Sequence, residues 1–208
     1  MRSDWVPLSA SALVIGAMLL VLASVLDPAP PGATAGETFD ALVHEPGRWQ
    51  GAAVMYLFAS FGLTLGLPAV ATRFVRSGRK LGLTALAVFA VGVICTCGYA
   101  MLLLLLRAAV LHGAIEREEM LKLGRDHNLG VFLGGWVAAF YGGVLLLALA
   151  LFLARSTPRW VPVLLVVFVA LLPAQGHVER IGIAATVLVF AVAVTGIAMS
   201  AVQGDRRT

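Results

Sequence analysis

Five histidine and glutamate side chains have the chemistry and spacing to bind a metal ion. They are His112, Glu116, Glu119, His127 and His177. If one helix runs through the first three, spacings of four and three residues place them on the same face. Imidazole and carboxylate groups are common ligands of divalent metals, and the other two histidines stand at neighbouring helix ends. The pattern is compatible with a divalent metal or haem site, but no compact motif such as HExxH defines the ligand set.

The stretch that holds four of these residues, LHGAIEREEMLKLGRDHN at 111–128, also has a purely structural interpretation. Glu118 and Lys122 form an i,i+4 pair in the favoured order. Gly124 is suited to end a helix, and Asp126 or Asn128 is suited to cap the next one. A solvated, ion-paired helix end therefore explains the stretch better than a metal site does. A docking surface for a partner protein is the third interpretation.

The composition indicates an integral membrane protein. Of the 208 residues, 60% are hydrophobic and only 12% are charged, which is about half the charge of an ordinary soluble domain. The formal net charge is +4, but the basic residues are scattered through short loops. Because no basic helix with interleaved aromatic residues is present, we predict no nucleic-acid partner.

Six apolar segments predict an all-α fold, a polytopic bundle of six transmembrane helices that forms one domain over residues 1–208. The predicted spans are 6–26, 50–71, 81–106, 129–153, 160–174 and 181–202. Five are long enough to cross a hydrocarbon layer of about 30 Å, whereas 160–174 is short and needs the following PAQG to finish the crossing. The first segment is predicted to be a retained span. A cleaved signal peptide is the alternative, because Ala33 and Ala35 form a small-x-small site.

Charge asymmetry between the loops predicts the orientation. The termini and the loops RFVRSGRK and RSTPR contain nine basic and two acidic residues, and the opposite loops contain six basic and nine acidic residues. The positive-inside rule therefore places both termini in the cytoplasm and the stretch 111–128 outside. In a bacterium, this arrangement corresponds to the cytoplasmic membrane.

Two local patterns predict further structure. Phe39, Leu42 and Val43 share one face at helical spacing, which favours a short helix lying on the membrane surface in the first outer loop. Pro68 lies near the end of the second span, where its missing backbone N–H group predicts a kink.

Four glycines are candidate packing positions. Gly62 and Gly66, and likewise Gly130 and Gly134, stand four residues apart on one helical face. Such pairs let helix backbones approach closely in lipid. We expect ordinary helix packing within one subunit, and the alternatives are a seam between copies of the chain or a narrow substrate slot.

None of the six predicted spans contains an Asp, Glu, Lys, Arg or His residue. Ion-coupled carriers usually place such groups within the bilayer, so proton or sodium coupling is disfavoured. Tyr56, Thr64, Tyr99 and Tyr141 remain as polar groups that could line a path for a neutral solute.

The segment RDHNLGVFLGGWVAAFYGGVLLLALALFLARSTPRWVP resembles bacterial six-helix integral membrane proteins of unknown function. An aromatic, glycine-rich span runs into a basic turn formed by Arg155, Ser156, Pro158, Arg159 and Trp160. The resemblance implies six spans and supplies no catalytic residue or cofactor.

The sequence therefore favours a non-catalytic accessory subunit, or a subunit that binds a lipid or another apolar ligand. Its expected partners are membrane lipids, a membrane protein or further copies of the chain. A transporter or channel for a neutral or hydrophobic solute is the first alternative. An enzyme with an outer-face metal or haem site is the second.

Overall fold

The computed structural model describes residues 5–29, 33–74, 79–173 and 180–205. Within these ranges the chain is all-helical, with eight α-helices and no strand. The helices are α1 (Trp5–Leu26), α2 (Ala35–His44), α3 (Pro46–Ala71), α4 (Arg79–Leu111), α5 (Arg117–Leu123), α6 (His127–Ala154), α7 (Trp160–Ala170) and α8 (Arg180–Asp205); a 3-10 turn, η1 (Thr72–Phe74), follows α3. The predicted all-α fold class is confirmed.

Five of the six predicted spans coincide with helices that are long and apolar enough to cross a membrane: α1, α3 with η1, α4, α6 and most of α8. The predicted boundaries were too narrow. Pro46 starts α3 four residues early, because a proline at the first helical position loses no hydrogen bond. The 33 residues of α4 reach about 50 Å, well beyond the hydrocarbon layer. These helices are consistent with a membrane location.

The segment at 160–174 forms a shorter helix than expected. Helix α7 has 11 residues and reaches only about 16 Å, so by itself it is too short to cross a bilayer. Pro173 cannot donate a hydrogen bond to the carbonyl of Val169, four residues earlier, which weakens any helix that continues beyond Ala170. Residues 174–179 lie outside the described ranges, and the sixth span is not confirmed.

The six long or apolar helices form a closed ring in chain order. Helix α3 packs between α1 and α4, α6 packs between α4 and α7, and α8 packs against both α7 and α1. Helices α2 and α5 contact each other at the end of the ring where α3 begins and α4 ends, which we call the capped end. At the opposite end Arg73 donates to the carbonyl of Ser200 in α8 (2.8 Å), and we call this the arginine end.

The outer surface of the ring is apolar. Leu8, Leu65, Ile94 and Leu105 are each more than 60% exposed, and many other large apolar side chains are exposed on every long helix. A soluble monomer rarely tolerates such a surface, whereas lipid tails solvate it without cost.

Close backbone contact joins α1 to α3. A Cβ atom added at Gly16 would lie 2.5 Å from the backbone nitrogen of Leu63, and one added at Gly62 would lie 2.7 Å from the Cα atom of Gly16. A Cβ atom at Gly66 would overlap Leu13. The predicted pair of glycines in α3 therefore packs inside one subunit.

The predicted glycine pair in α6 has a different environment. Nothing in the described structure lies within 4 Å of a Cβ atom added at Gly130 or Gly134, and both residues are exposed. The seam between α4 and α6 instead uses Gly92 and Gly143, where an added Cβ would lie 2.5 Å from the Cα atoms of Phe140 and Phe89, respectively. A contact of Gly130 and Gly134 with another copy of the chain stays a prediction.

Ser9 in α1 forms two hydrogen bonds with the backbone beside Pro68. The Ser9 hydroxyl donates to the carbonyl of Leu65 (2.7 Å) and accepts from the N–H of Ala69 (3.1 Å). In a regular helix these two backbone groups would bond to each other. Ser9 therefore satisfies the two backbone groups beside Pro68 through an interhelical contact, as expected where no water is available to do so. The two hydrogen bonds of Ser9 therefore join α1 to α3 beside Pro68.

We expect Ser9→Ala to lower the free energy of unfolding by about 1–2 kcal/mol, because it leaves two buried backbone groups without their bridge. Ser11→Ala is the matched control, since Ser11 is an exposed residue of the same helix. Thermal unfolding in detergent, followed by circular dichroism, measures both variants. Equal stability of the two would show that the bridge contributes nothing.

Candidate functional site

The polar stretch at 111–128 is a short folded unit at the capped end. The condition for the metal face, one helix that runs from His112 to Glu119, is not met, because α4 ends at Leu111 and α5 begins at Arg117. Gly113 has a φ of 69°, in the left-handed region that glycine adopts most easily, and it reverses the chain. The break removes the shared helical face on which the predicted metal site depended.

The acidic residues of this unit stabilise helix ends. Glu116 and Glu119 form a reciprocal capping box at the start of α5, and the backbone N–H of Glu116 donates to the Glu119 carboxylate (3.2 Å). Lys122 pairs with Glu118 (3.1 Å), as predicted. Asp126 caps α6 by accepting from the N–H of Leu129 (2.8 Å), also as predicted.

The short helix predicted between the first two spans is also confirmed, as α2, whereas its location on the membrane surface stays a prediction. Its first turn is closed by a capping box between Thr34 and Glu37, a pattern legible in the sequence TAGE but missed there. The Thr34 N–H and hydroxyl groups both donate to the Glu37 carboxylate, and these hydrogen bonds lower the pKa of Glu37.

Helices α2 and α5 pack together over the ends of α3 and α4. Arg117 donates to Asp40 (2.9 Å) across the outer side of this contact. Beneath it, the Met120 side chain is buried in a cluster with Leu42 and Trp49. The Trp49 indole in turn donates to the carbonyl of Leu103 (2.9 Å) in α4. The stretch 111–128 is thus anchored by apolar burial.

The predicted metal ligands do not converge in the part of the chain that the structure describes. His112, Glu116, Glu119 and His127 are all exposed, and no group of three or more His, Cys, Asp or Glu residues in the described ranges could hold a metal ion. His177 lies outside the described residues. A metal or haem site at this end stays a prediction.

We expect Met120→Ala to release α5, because it removes a buried side chain that joins α5 to α3 and α4, at a cost of about 2 kcal/mol or more. Arg117→Gln should change stability by less than about 1 kcal/mol, since it removes only an exposed ion pair. Hydrogen exchange of the α5 amides distinguishes the two variants. Faster exchange in Arg117→Gln than in Met120→Ala would contradict this account.

An aromatic layer fills the centre of the ring. Phe190 from α8 lies 6.3 Å from Phe89, 5.8 Å from Phe140 and 5.0 Å from Phe168, measured between ring centroids. All four rings are buried. These four side chains fill the centre of the helix ring.

A cavity of about 250 Å³ lies between this layer and the capped end. Its walls come from six helices or their flanking turns and include Leu20, Ser24, Tyr56, Thr96, Trp136, Val137, Phe140, Tyr141, Phe168, Leu172, Ile183 and Val187. On α6 and α8, the other lining residues precede Phe140 and Phe190 or adjoin them, on the side towards the capped end. Within the described ranges α7 ends at Ala170, and Leu172, which follows it, lines the cavity.

The polar groups of the cavity are held in fixed orientations. The Trp136 indole N–H donates to the Thr96 hydroxyl (3.0 Å), which donates to the Gly92 carbonyl (3.0 Å). Tyr99 stacks on Trp136 with ring centroids 4.3 Å apart. Tyr141 stacks on Phe168 at 5.2 Å on the α7 side. Two stacked aromatic pairs thus flank the cavity.

A carboxylate stands near the Tyr56 wall. The Tyr56 hydroxyl donates to Asp27 at the end of α1 over a long 3.4 Å contact. Asp27 also accepts from the N–H of Ala29 (3.1 Å), so the turn after α1 positions it. The sequence assigned Asp27 to an outer loop, and only the packing of α1 against α3 brings it to a tyrosine of α3.

The structure brings together three of the four residues predicted to line a path. Tyr56 and Tyr141 line the cavity, and Tyr99 contacts both Tyr56 (5.6 Å between centroids) and Trp136. Thr64 is exposed on the outer surface. The contribution of Trp136 was missed, although it is the only tryptophan that lies away from the ends of the predicted spans, and a buried indole N–H needs a partner.

This arrangement is suited to binding. Aromatic faces and aliphatic walls hold an apolar body, while a few oriented hydroxyl groups interact with one polar end.

The fold and cavity define an all-helical protein with five helices able to cross a membrane and a ligand-sized space between them. Comparison with family models, curated proteins and solved structures found no match to this chain. The resemblance to bacterial six-helix membrane proteins therefore stays a prediction.

Proposed function

We propose that this protein is a non-catalytic, multi-pass subunit of the bacterial cytoplasmic membrane that holds a lipid or another apolar molecule between its helices. The observation that carries the proposal is the aromatic cavity beneath the capped end. Its volume of about 250 Å³ is slightly below the usual range for small-molecule pockets. It suits a small apolar molecule or one end of a lipid.

The chemistry of the walls specifies the ligand further. Apart from Asp27 beside the Tyr56 hydroxyl, the polar groups of the described walls are uncharged: hydroxyls from Ser24, Tyr56, Thr96 and Tyr141, and the Trp136 indole. Many of the lining side chains are aliphatic or aromatic. Desolvating a charged ligand here would be costly, so the ligand is uncharged, with a flat or unsaturated body that stacks on the aromatic pairs.

The proposed orientation places both termini and the arginine end in the cytoplasm and the capped end outside. It rests on the charge asymmetry of the loops. A sixth crossing would join α7 to α8 through residues 171–179. In this arrangement the cavity lies in the outer half of the bilayer, beneath α2 and α5.

Native mass spectrometry of the protein purified in mild detergent tests the proposal. We expect the wild type to retain an apolar molecule that is lost from Ser24→Phe, because a phenyl ring at this buried wall position occupies the cavity. Ser11→Phe is the control, since Ser11 lies on the exposed surface of the same helix. A wild-type monomer that carries neither lipid nor partner would contradict the proposal, as would equal retention in the two variants.

The convergence of Tyr56, Tyr99 and Tyr141 also favours the second candidate function, passage of a neutral or hydrophobic solute. The four buried phenylalanines close the cavity towards the arginine end, so passage requires their displacement. Cysteine labelling distinguishes the two functions. Reagents that reach Tyr141→Cys from both sides of the membrane would support passage, and access from one side only would support binding.

A further inference from the structure

A second cavity, about 280 Å³ in volume, lies at the arginine end and is polar. Its lining includes Arg73 and Arg155, the hydroxyl-bearing residues Ser156 and Thr157, and Gly204. Arg73 donates to the Ser200 carbonyl, and its guanidinium packs against Gly204, where a Cβ atom would overlap it. Because Gly204 has no side chain, the Arg73 guanidinium has room to lie at the wall of the pocket.

The hydroxyl groups at this pocket lack partners. Ser156 Oγ and Thr157 Oγ1 are shielded from solvent and have no hydrogen-bond partner within the described structure. Native proteins rarely leave buried polar atoms unsatisfied, because the cost of desolvation is then not recovered. A bound group that accepts hydrogen bonds would satisfy both.

Among the side chains that the structure describes, none forms an ion pair with the arginines of this pocket. The ion pairs among the described residues, Arg48–Glu45, Arg117–Asp40 and Lys122–Glu118, all lie at the capped end. None of them involves Arg73 or Arg155. Two arginines and two hydroxyl-bearing residues around one pocket match the charge and hydrogen-bonding capacity of a phosphate group.

The backbone holds Arg155 in this position. It caps α6 with φ 49° and ψ 32°, the left-handed conformation that helix ends usually assign to glycine. The backbone conformation at this position therefore favours glycine over arginine.

An apolar crevice of about 500 Å³ adjoins the polar pocket and shares Arg155, Thr157 and Pro158 with it. Its other walls are mainly apolar side chains from the end of α6 and the start of α7, including Phe152 and Val163. Both of these side chains are more than half exposed on the outer surface. The crevice therefore continues from the charged pocket onto the surface that faces lipid tails.

We infer that the arginine end binds one anionic phospholipid. Arg73 and Arg155 pair with its phosphate, Ser156 and Thr157 donate to the phosphate oxygens, and an acyl chain lies in the crevice between α6 and α7. This site is separate from the aromatic cavity and does not depend on the function proposed for that cavity.

The test uses delipidated full-length protein in an uncharged detergent and three probes: short-chain phosphatidylglycerol, short-chain phosphatidylcholine and inorganic phosphate. We expect phosphatidylglycerol to bind about tenfold more tightly than phosphatidylcholine, because both lipids carry the phosphate but the choline cation of phosphatidylcholine is repelled by the two arginines. Inorganic phosphate should bind more weakly still, because it cannot occupy the crevice. Native mass spectrometry reads out the lipid adducts, and thermal shift reads out all three probes.

Arg155→Gly is the decisive variant. It should weaken phosphatidylglycerol binding about tenfold while the ligand-free protein becomes no less stable, because glycine relieves the left-handed conformation. Lys80→Gln is the matched control: it removes the same charge from the exposed start of α4, at the same end of the ring, and should keep wild-type affinity. The Ser156→Ala/Thr157→Val double variant should also weaken binding.

Three results would overturn the assignment. Equal losses in Arg155→Gly and Lys80→Gln would mean that general surface charge attracts the lipid. Equal binding of phosphatidylcholine would remove the role of net negative charge. Inorganic phosphate that binds as tightly as the lipid would make the ligand a free anion.

Discussion

Close approach of helix backbones is the constraint on which this structure depends. Apolar helices in a hydrocarbon solvent gain little from hydrophobic burial, so packing contacts and a few internal hydrogen bonds must hold them together. The ring supplies both. Gly16 and Gly62 let α1 and α3 touch along their backbones, Gly92 and Gly143 do the same for α4 and α6, and Ser9 completes the hydrogen bonding beside Pro68.

The two ends of the ring differ in how their charged residues are paired. At the capped end several charged residues have protein partners: Arg48 donates to the Val25 carbonyl at the end of α1, and Arg107 donates to the Pro46 carbonyl. These arginine side chains join helix ends, and α2 and α5 pack over the same end of the ring. At the arginine end, Arg155 forms no ion pair within the described ranges, and two hydroxyls beside it have no partner there. A ligand is expected where the protein leaves such groups unpaired.

The aromatic cavity lies on the side of the phenylalanine layer towards the capped end. Within the described ranges, helix α7 ends at Ala170, near the cavity. The phenylalanine layer fills the middle of the ring but does not reach the capped end. The space that remains is bordered by residues whose polar groups are oriented by one another, as in the pair formed by Trp136 and Thr96.

Sequence patterns were sufficient for features that depend on near neighbours. The five long apolar helices, the short helix α2, the pairing of Glu118 with Lys122 and the cap at Asp126 all follow from composition or from spacings of three and four residues. The proposed metal face also relied on local spacing. It assumed an unbroken helix, and the helix is interrupted at Gly113. Residue spacing alone could not reveal that Met120 is buried against Trp49.

By itself, the sequence determined an all-helical chain with several apolar helices, because hydropathy and helical periodicity are local properties. Only the tertiary structure decided which glycines face a neighbouring helix, that Tyr56, Tyr99 and Trp136 meet around one cavity, and that Arg73 lies beside Arg155. These outcomes depend on the rotation and order of helices around the ring. Helices that are apolar on every side carry little pattern to specify that rotation, so close contacts between distant residues must set it.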